Sequence, residues 1–230
     1  METVYSRTEM MLGQDAVNRL KTSHVAVFGI GGVGGFVTEA LARAGVGKIT
    51  LIDSDRVSVS NINRQIIALR STVGRYKTEV MKERIADINP ECEVMAINEF
   101  YSEENPIDLD GFDYIADCID SVKSKLHLIT EAKKKDIQII SSMGAGNKLD
   151  PTRFKVADIS KTHTDPLSKV MRTELRKRGV NHLKTVFSDE PPINPSGERT
   201  PGSISFVPSA VGLIIAGEII KDIAVVKVSE

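Results

Sequence analysis

The sequence predicts an α/β protein built on a largely parallel sheet, and three observations carry that prediction. Short apolar runs alternate with segments of helical periodicity along the chain. The first run ends in a glycine cluster, Gly29-Ile-Gly-Gly-Val-Gly34, which opens a helical pattern. A chain of 230 residues with 41% hydrophobic residues can bury a full core, and its length is compatible with one domain over 1–230.

The elements follow in order. His24 to Gly29 is an apolar strand; Val33, Phe36, Val37, Ala40, Leu41 and Ala44 then recur at helical spacing. Lys48 to Asp53 is a second strand, and a helical stretch spans about 73–89. Further strands are read at 93–98, 113–117 and 137–140, with a helix around 121–135 between the last two. The runs at 154–159 and 185–188 extend the sheet in mixed orientation. Residues 188–203, dense in proline, glycine and polar groups, read as a mobile loop, either a surface excursion or a cover for substrate. The final helix, 209–224, is apolar but interrupted by Glu218, Lys221 and Asp222, which favours core or dimer packing over membrane attachment. No basic segment followed by an apolar core opens the chain, and with two cysteines a cytoplasmic location is expected.

The chemistry begins at the glycines. Gly29, Gly31 and Gly34 permit a tight turn, close approach of backbone to a phosphate, and close packing of helix on strand. The helix start offers N–H groups and a positive dipole end to an anion. Asp53, closing the second strand, is placed for ribose hydroxyls. A nicotinamide enzyme would share all of this. The group that follows, Asn61, Asn63, Arg64 and Gln65 with Lys77 beyond it, points to a triphosphate instead. Arg64 can fork onto terminal phosphate oxygens and Lys77 can act as a point charge on an inner one. Taken singly, either cation reads as a solvated helix-face charge.

With these motifs assembled, the chain resembles the ThiF-like superfamily of adenylating enzymes, which includes the ubiquitin-activating enzymes. The resemblance implies a Rossmann-like three-layer fold and places nucleotide binding on Gly29, Gly31, Gly32, Gly34, Asp53, Asn61, Arg64, Gln65 and Lys77. Asp120, after the run Tyr114-Ile-Ala-Asp-Cys-Ile, matches the aspartate linked to magnesium, with Asp55 as a second candidate around the phosphates. Arg7 matches an arginine that crosses to the partner subunit, so a homodimer is implied.

Within the superfamily the chain is most similar to the tRNA threonylcarbamoyladenosine dehydratases. That similarity rests on the continuous match through Ala40–Gly47, Asn61–Gln65, Met81–Cys92, Ser142–Asn147, Asp150–Arg153 and Lys161–Pro166. It implies ATP-dependent cyclisation of N6-threonylcarbamoyladenosine in tRNA, through an adenylated threonyl carboxylate attacked from within the same base.

The cysteines bear on this choice. Cys92 and Cys118 are too few and too far apart for a four-cysteine zinc site and read as buried structural thiols. No thiolate is evident to receive an acyl group. The four histidines show no metal-ligand spacing, and only His163, beside Thr164-Asp165-Pro166, invites a test. A net charge of −1 gives no global attraction to nucleic acid, so tRNA contact would be local. Lys169, Arg172, Arg176, Lys177, Arg178 and Lys184 form a dense basic stretch that reads as a solvated face or a phosphate-binding one. Two other readings remain: adenylation of the C-terminal carboxylate of a ubiquitin-like sulfur carrier, and a nicotinamide oxidoreductase or nucleotide-binding regulator. The residues also leave open a sulfur-relay or other protein partner.

Overall fold

A computed structural model describes residues 3–195, 197–198 and 200–225. The remaining residues of the expected 1–230 domain, including Ser196 and Arg199 of the expected 188–203 loop, lie outside the described ones.

Seven strands form one sheet: β1 (His24–Phe28), β2 (Lys48–Ile52), β3 (Glu93–Ile97), β4 (Tyr114–Asp117), β5 (Gln138–Ser142), β6 (Phe154–Asp158) and β7 (Lys184–Ser188). Their spatial order is β3-β2-β1-β4-β5-β7-β6. Every neighbouring pair is parallel except β6 against β7. The expected α/β class, the largely parallel sheet and its mixed extension are therefore all present. β1, β2 and β4 are buried on both faces, as strands flanked by helices on either side must be.

The helices are α1 (Ser6–Leu12), α2 (Gln14–Thr22), α3 (Gly34–Ala44), α4 (Lys77–Ile88), α5 (Val122–Lys134), α6 (Pro166–Lys177) and α7 (Phe206–Ala224). They divide between two cores. Leu20 of α2, Val37 and Leu41 of α3, Met81 and Ile85 of α4, and Val211, Ile215 and Ile219 of α7 pack on one face of the sheet. Leu128, Ile129, Met171 and Leu175, from α5 and α6, pack with Phe28 and Ile115 on the other. The layering is thus helix, sheet, helix. The apolar stripe of α7 is spent in the first core, and among the described residues no helix is long and apolar enough to cross a membrane.

Strand order reverses between β1 and β4, whose carboxyl ends open a crevice at the usual ligand position of such sheets. An ion pair lies beneath that point. Lys125 Nζ of α5 donates to Asp117 Oδ2 of β4 at 2.7 Å and to Ser141 Oγ of β5 at 3.1 Å, with both charged side chains wholly buried. Asp117 Oδ1 in turn accepts from the Ile119 N–H, fixing the turn that leads to Asp120.

Candidate functional site

The crevice is a cavity of about 840 Å³. Its first wall is the glycine turn. Gly29 has φ +88, and a side chain there would begin 2.7 Å from the Cys118 carbonyl oxygen; at Gly34 it would begin 1.8 Å from the Gly29 oxygen. Only glycine permits this turn at both positions. Gly31 and Gly32 line the cavity, and among the described residues the N–H groups of Gly31, Gly32 and Val33 have no hydrogen-bond partner. These are the donors that a helix start presents to an anion.

Asp53, at the end of β2, braces that turn. Its Oδ2 accepts from Ile30 N at 2.7 Å and its Oδ1 from Asp55 N at 2.8 Å. Burial pushes its carboxyl pKa above the ordinary value, and nearby Lys77 works in the opposite direction. Lys77 opens α4 with its side chain 7% exposed, and its Nζ lies 2.7 Å from Asp55 Oδ2 and 3.8 Å from Asp53 Oδ2.

The segment at 58–65 forms a short 3-10 turn, Val59–Asn61. Asn61 Oδ1 accepts from Ser58 N at 3.0 Å, so this amide shapes the turn. Arg64 folds back, its Nη1 donating to Ser60 O at 3.0 Å and Asn63 Oδ1 at 2.9 Å. Gln65 is buried on the cavity wall, its Oε1 without a partner. Asp120 stands exposed in the cavity lining, beyond β4. The cavity therefore gathers Gly29, Gly31, Gly32, Asp53, Asp55, Asn61, Arg64, Gln65, Lys77 and Asp120, while Gly34 packs behind the turn. Arg7 is not among its lining residues; it lies exposed on α1.

The basic stretch is less coherent than its sequence suggests. Lys169 and Arg176 are exposed and, among the described residues, without a partner. Lys177 and Arg178 pair with Glu174, and Arg172 donates to Thr162. Lys184 stands apart: it starts β7 and binds Asp222 and Glu218 of α7, with Tyr114 Oη donating to the same Asp222. It is a stitch between sheet and last helix.

Cys118 lines the cavity and Cys92 does not; both are free. Burial pushes the Cys118 thiol up to about 12 and the Cys92 thiol up to about 11. Neither offers a thiolate near neutrality. His163 is exposed and rests edge-on against Phe187, outside the cavity lining.

The sequence offers Ser141, Ser142 and Gly144 to Asn147, beyond a strand's carboxyl end, for a substrate-side role, and Ser142 and Gly144 to Asn147 do line the far end of the cavity; Lys148 and Asp165 there were missed. There the turn after β5, Met143 to Lys148, meets Asp165 at the start of α6. Lys148 and Asp165 are 3% and 2% exposed, with Nζ 3.6 Å from Oδ2, and that oxygen has no hydrogen-bond partner. Asp-Pro with Ser three residues on was a legible cap signal: Asp165 Oδ1 accepts from Ser168 N at 2.7 Å. The second oxygen was not legible.

Comparison with known proteins agrees with this fold. The family model described as ThiF family matches residues 5–228. A tRNA threonylcarbamoyladenosine dehydratase of Bacillus subtilis is 50% identical, the match covering 95% of this chain and 94% of that protein. A molybdopterin-synthase adenylyltransferase of Haemophilus influenzae is 31% identical over 69% of this chain and 65% of its own length. The crystal structure of the Escherichia coli tRNA N6-threonylcarbamoyladenosine dehydratase in complex with ATP superposes with a TM-score of 0.90 at 38% identity, covering 96% of this chain and 93% of that one. The chain belongs to the ThiF family, and stands within it beside the tRNA threonylcarbamoyladenosine dehydratases.

Proposed function

We propose that this protein uses ATP to cyclise N6-threonylcarbamoyladenosine in tRNA. The observation that carries the reading is one cavity with two chemically different ends, set in a chain half identical to a dehydratase of that name. One end has unpartnered glycine-turn N–H groups, Arg64 and Lys77, a donor set suited to a triphosphate. The other is walled by the turn after β5 and by Pro192 and Pro201, and no reactive thiol lines the cavity.

The chemistry balances without an enzyme nucleophile. A threonyl carboxylate oxygen attacks the α-phosphorus of ATP, and pyrophosphate leaves. A nitrogen or oxygen of the adjoining urea then attacks the acyl carbon; the acyl–oxygen bond to AMP breaks, and a urea N–H gives up its proton. The base has lost one water, whose oxygen departs in AMP. Holding the urea against the acyl carbon can supply roughly 7–11 kcal/mol of barrier reduction. Arg64 and Lys77 neutralise charge as pyrophosphate departs.

Magnesium would accompany ATP. No cluster of three His, Cys, Asp or Glu able to cage a metal occurs among the described residues. A single carboxylate beside phosphate oxygens is nonetheless a usual magnesium environment, and Asp120 is the one we assign. When bound, the ion would offset phosphate charge. We further assign Arg7 to the cavity of a second copy in a homodimer, Lys169 and Arg176 to the tRNA backbone, and the protein to the cytoplasm, working as a single domain.

The test is pyrophosphate release from ATP and magnesium. The reading predicts release that depends on tRNA carrying the threonylcarbamoyl group. Equal release with unmodified tRNA would overturn it.

A further inference from the structure

We propose that Asn147 is a positioning residue that fits the roof of the cavity over the modified base; this rests on the tRNA reading above. The far end of the cavity has a floor, the Gly144–Lys148 turn with Asp165 behind it, and a roof that includes Pro192, Pro201 and Ser203. The roof residues lie on two separate limbs of the excursion after β7. Asn147 holds both limbs.

Three hydrogen bonds do this. Asn147 N donates to Gly202 O at 2.8 Å, its carbonyl accepts from Ile193 N at 2.8 Å, and its Oδ1 accepts from Gly202 N at 2.7 Å. Each anchored residue follows a cavity-lining proline directly in sequence, Pro192 before Ile193 and Pro201 before Gly202. The staple therefore fixes two rigid walls that have no N–H of their own. Asn147 achieves this at φ +58, the left-handed region that asparagine tolerates better than most residues. The fit is close: a side chain at Gly146 would begin 2.7 Å from Pro201 Cβ.

The roof is also tied to the nucleotide end. Asn63 Nδ2 donates to Ser203 O at 3.1 Å, and Asn63 Oδ1 accepts from Arg64. One covering segment thus spans from the phosphate cations to the floor at Asp165. Asp165 Oδ2 is sealed behind Gly144, where a side chain would begin 2.7 Å from it, and its neighbouring cation is Lys148 Nζ at 3.6 Å, so this pair stiffens the floor from beneath. The glycine turn, Arg64 and Lys77 serve the phosphates at the other end, which leaves the far end to the modified base, and Asn147 sets its height.

Steady-state cyclisation of tRNA bearing N6-threonylcarbamoyladenosine, read by nucleoside mass spectrometry with ATP and magnesium, tests this. Asn147→Ala should raise the KM for tRNA about tenfold, from loss of the hydrogen bond that Oδ1 accepts from Gly202 N at a position of positive φ, with the KM for ATP unchanged. Asn147→Gly, which relaxes the backbone but lacks the amide, should also raise the tRNA KM. Asn147→Asp, which keeps the acceptor, should restore it. An unchanged tRNA KM in the Ala and Gly variants, an equal rise in the ATP KM, or no rescue by Asp would overturn the assignment. Absence of cyclic nucleoside with the wild-type protein would instead overturn the functional reading, before any variant is compared.

Discussion

Lys77 Nζ sits 2.7 Å from Asp55 Oδ2, an ion pair that joins the start of α4 to the segment after β2 on the wall of the cavity. Lys77 is held nearly buried, whereas Asp55 is 67% exposed on its side chain. The geometry makes Asp55 the counter-ion of Lys77, whereas Asp120, the carboxylate we assign to magnesium, has no cation paired with it among the described residues.

Removing either member of that pair separates the two roles. Lys77→Ala should cut ATP-dependent turnover about tenfold to a hundredfold, the range of a hydrogen bond to a charged group. Asp55→Asn should keep its magnesium dependence and bind ATP at least as tightly as wild type. Titration of activity against magnesium checks this; a large rightward shift in Asp55→Asn would make Asp55 a metal ligand.

The buried pair under the cavity governs stability rather than chemistry. Lys125→Met leaves Asp117 charged and unpaired in the core and should cost about 3–5 kcal/mol, read as a lower urea midpoint. Adding Asp117→Asn to that variant should recover part of the loss. A midpoint within error of wild type for Lys125→Met would contradict a fully desolvated pair at this position.

Protonated thiols give a pH prediction. Burial raises both pKa values, to about 12 at Cys118 and about 11 at Cys92, so at pH 8 the thiol form dominates in the folded state. Native protein incubated with iodoacetamide at pH 8 should keep its activity, and Cys118→Ala should stay active. Stoichiometric inactivation by alkylation at Cys118 would point to a thioester route.

Acid stability has its own marker. Lys155 and Arg153, both bonded to Asp189, hold its carboxyl down at about 2. Because the folded value lies below the unfolded one of about 4, the contribution is present above pH 4 and lost as pH falls toward 2. Asp189→Asn should flatten thermal stability across that window; an unaltered acid limb would show that the three groups do not act together.

Much of the fold was legible because punctuation and periodicity agree. The glycine cluster after β1 and the apolar runs at 48–53 and 93–98 placed the nucleotide half to within a residue or two. α1 and α2 were not read: they are short and largely polar, and only Ala16, Val17 and Leu20 of α2 are buried. β5 runs on to Ser142 because Ser141 and Ser142 pair with Thr185 and Val186, a partner far away in sequence. Lys184 was grouped with the basic helix by adjacency, yet the strand it begins carries it beneath α7. The pairing of Lys77 with Asp55 and the positive φ of Asn147 depend on tertiary placement and leave no mark in composition.

The central claim is that the threonylcarbamoyl base supplies its own nucleophile. Nucleosides from tRNA carrying N6-threonylcarbamoyladenosine, incubated with this protein, ATP and magnesium, are weighed by mass spectrometry. The account predicts loss of one water from the modified nucleoside with an equal amount of AMP released. Unchanged nucleoside from a protein that binds ATP and tRNA would contradict it.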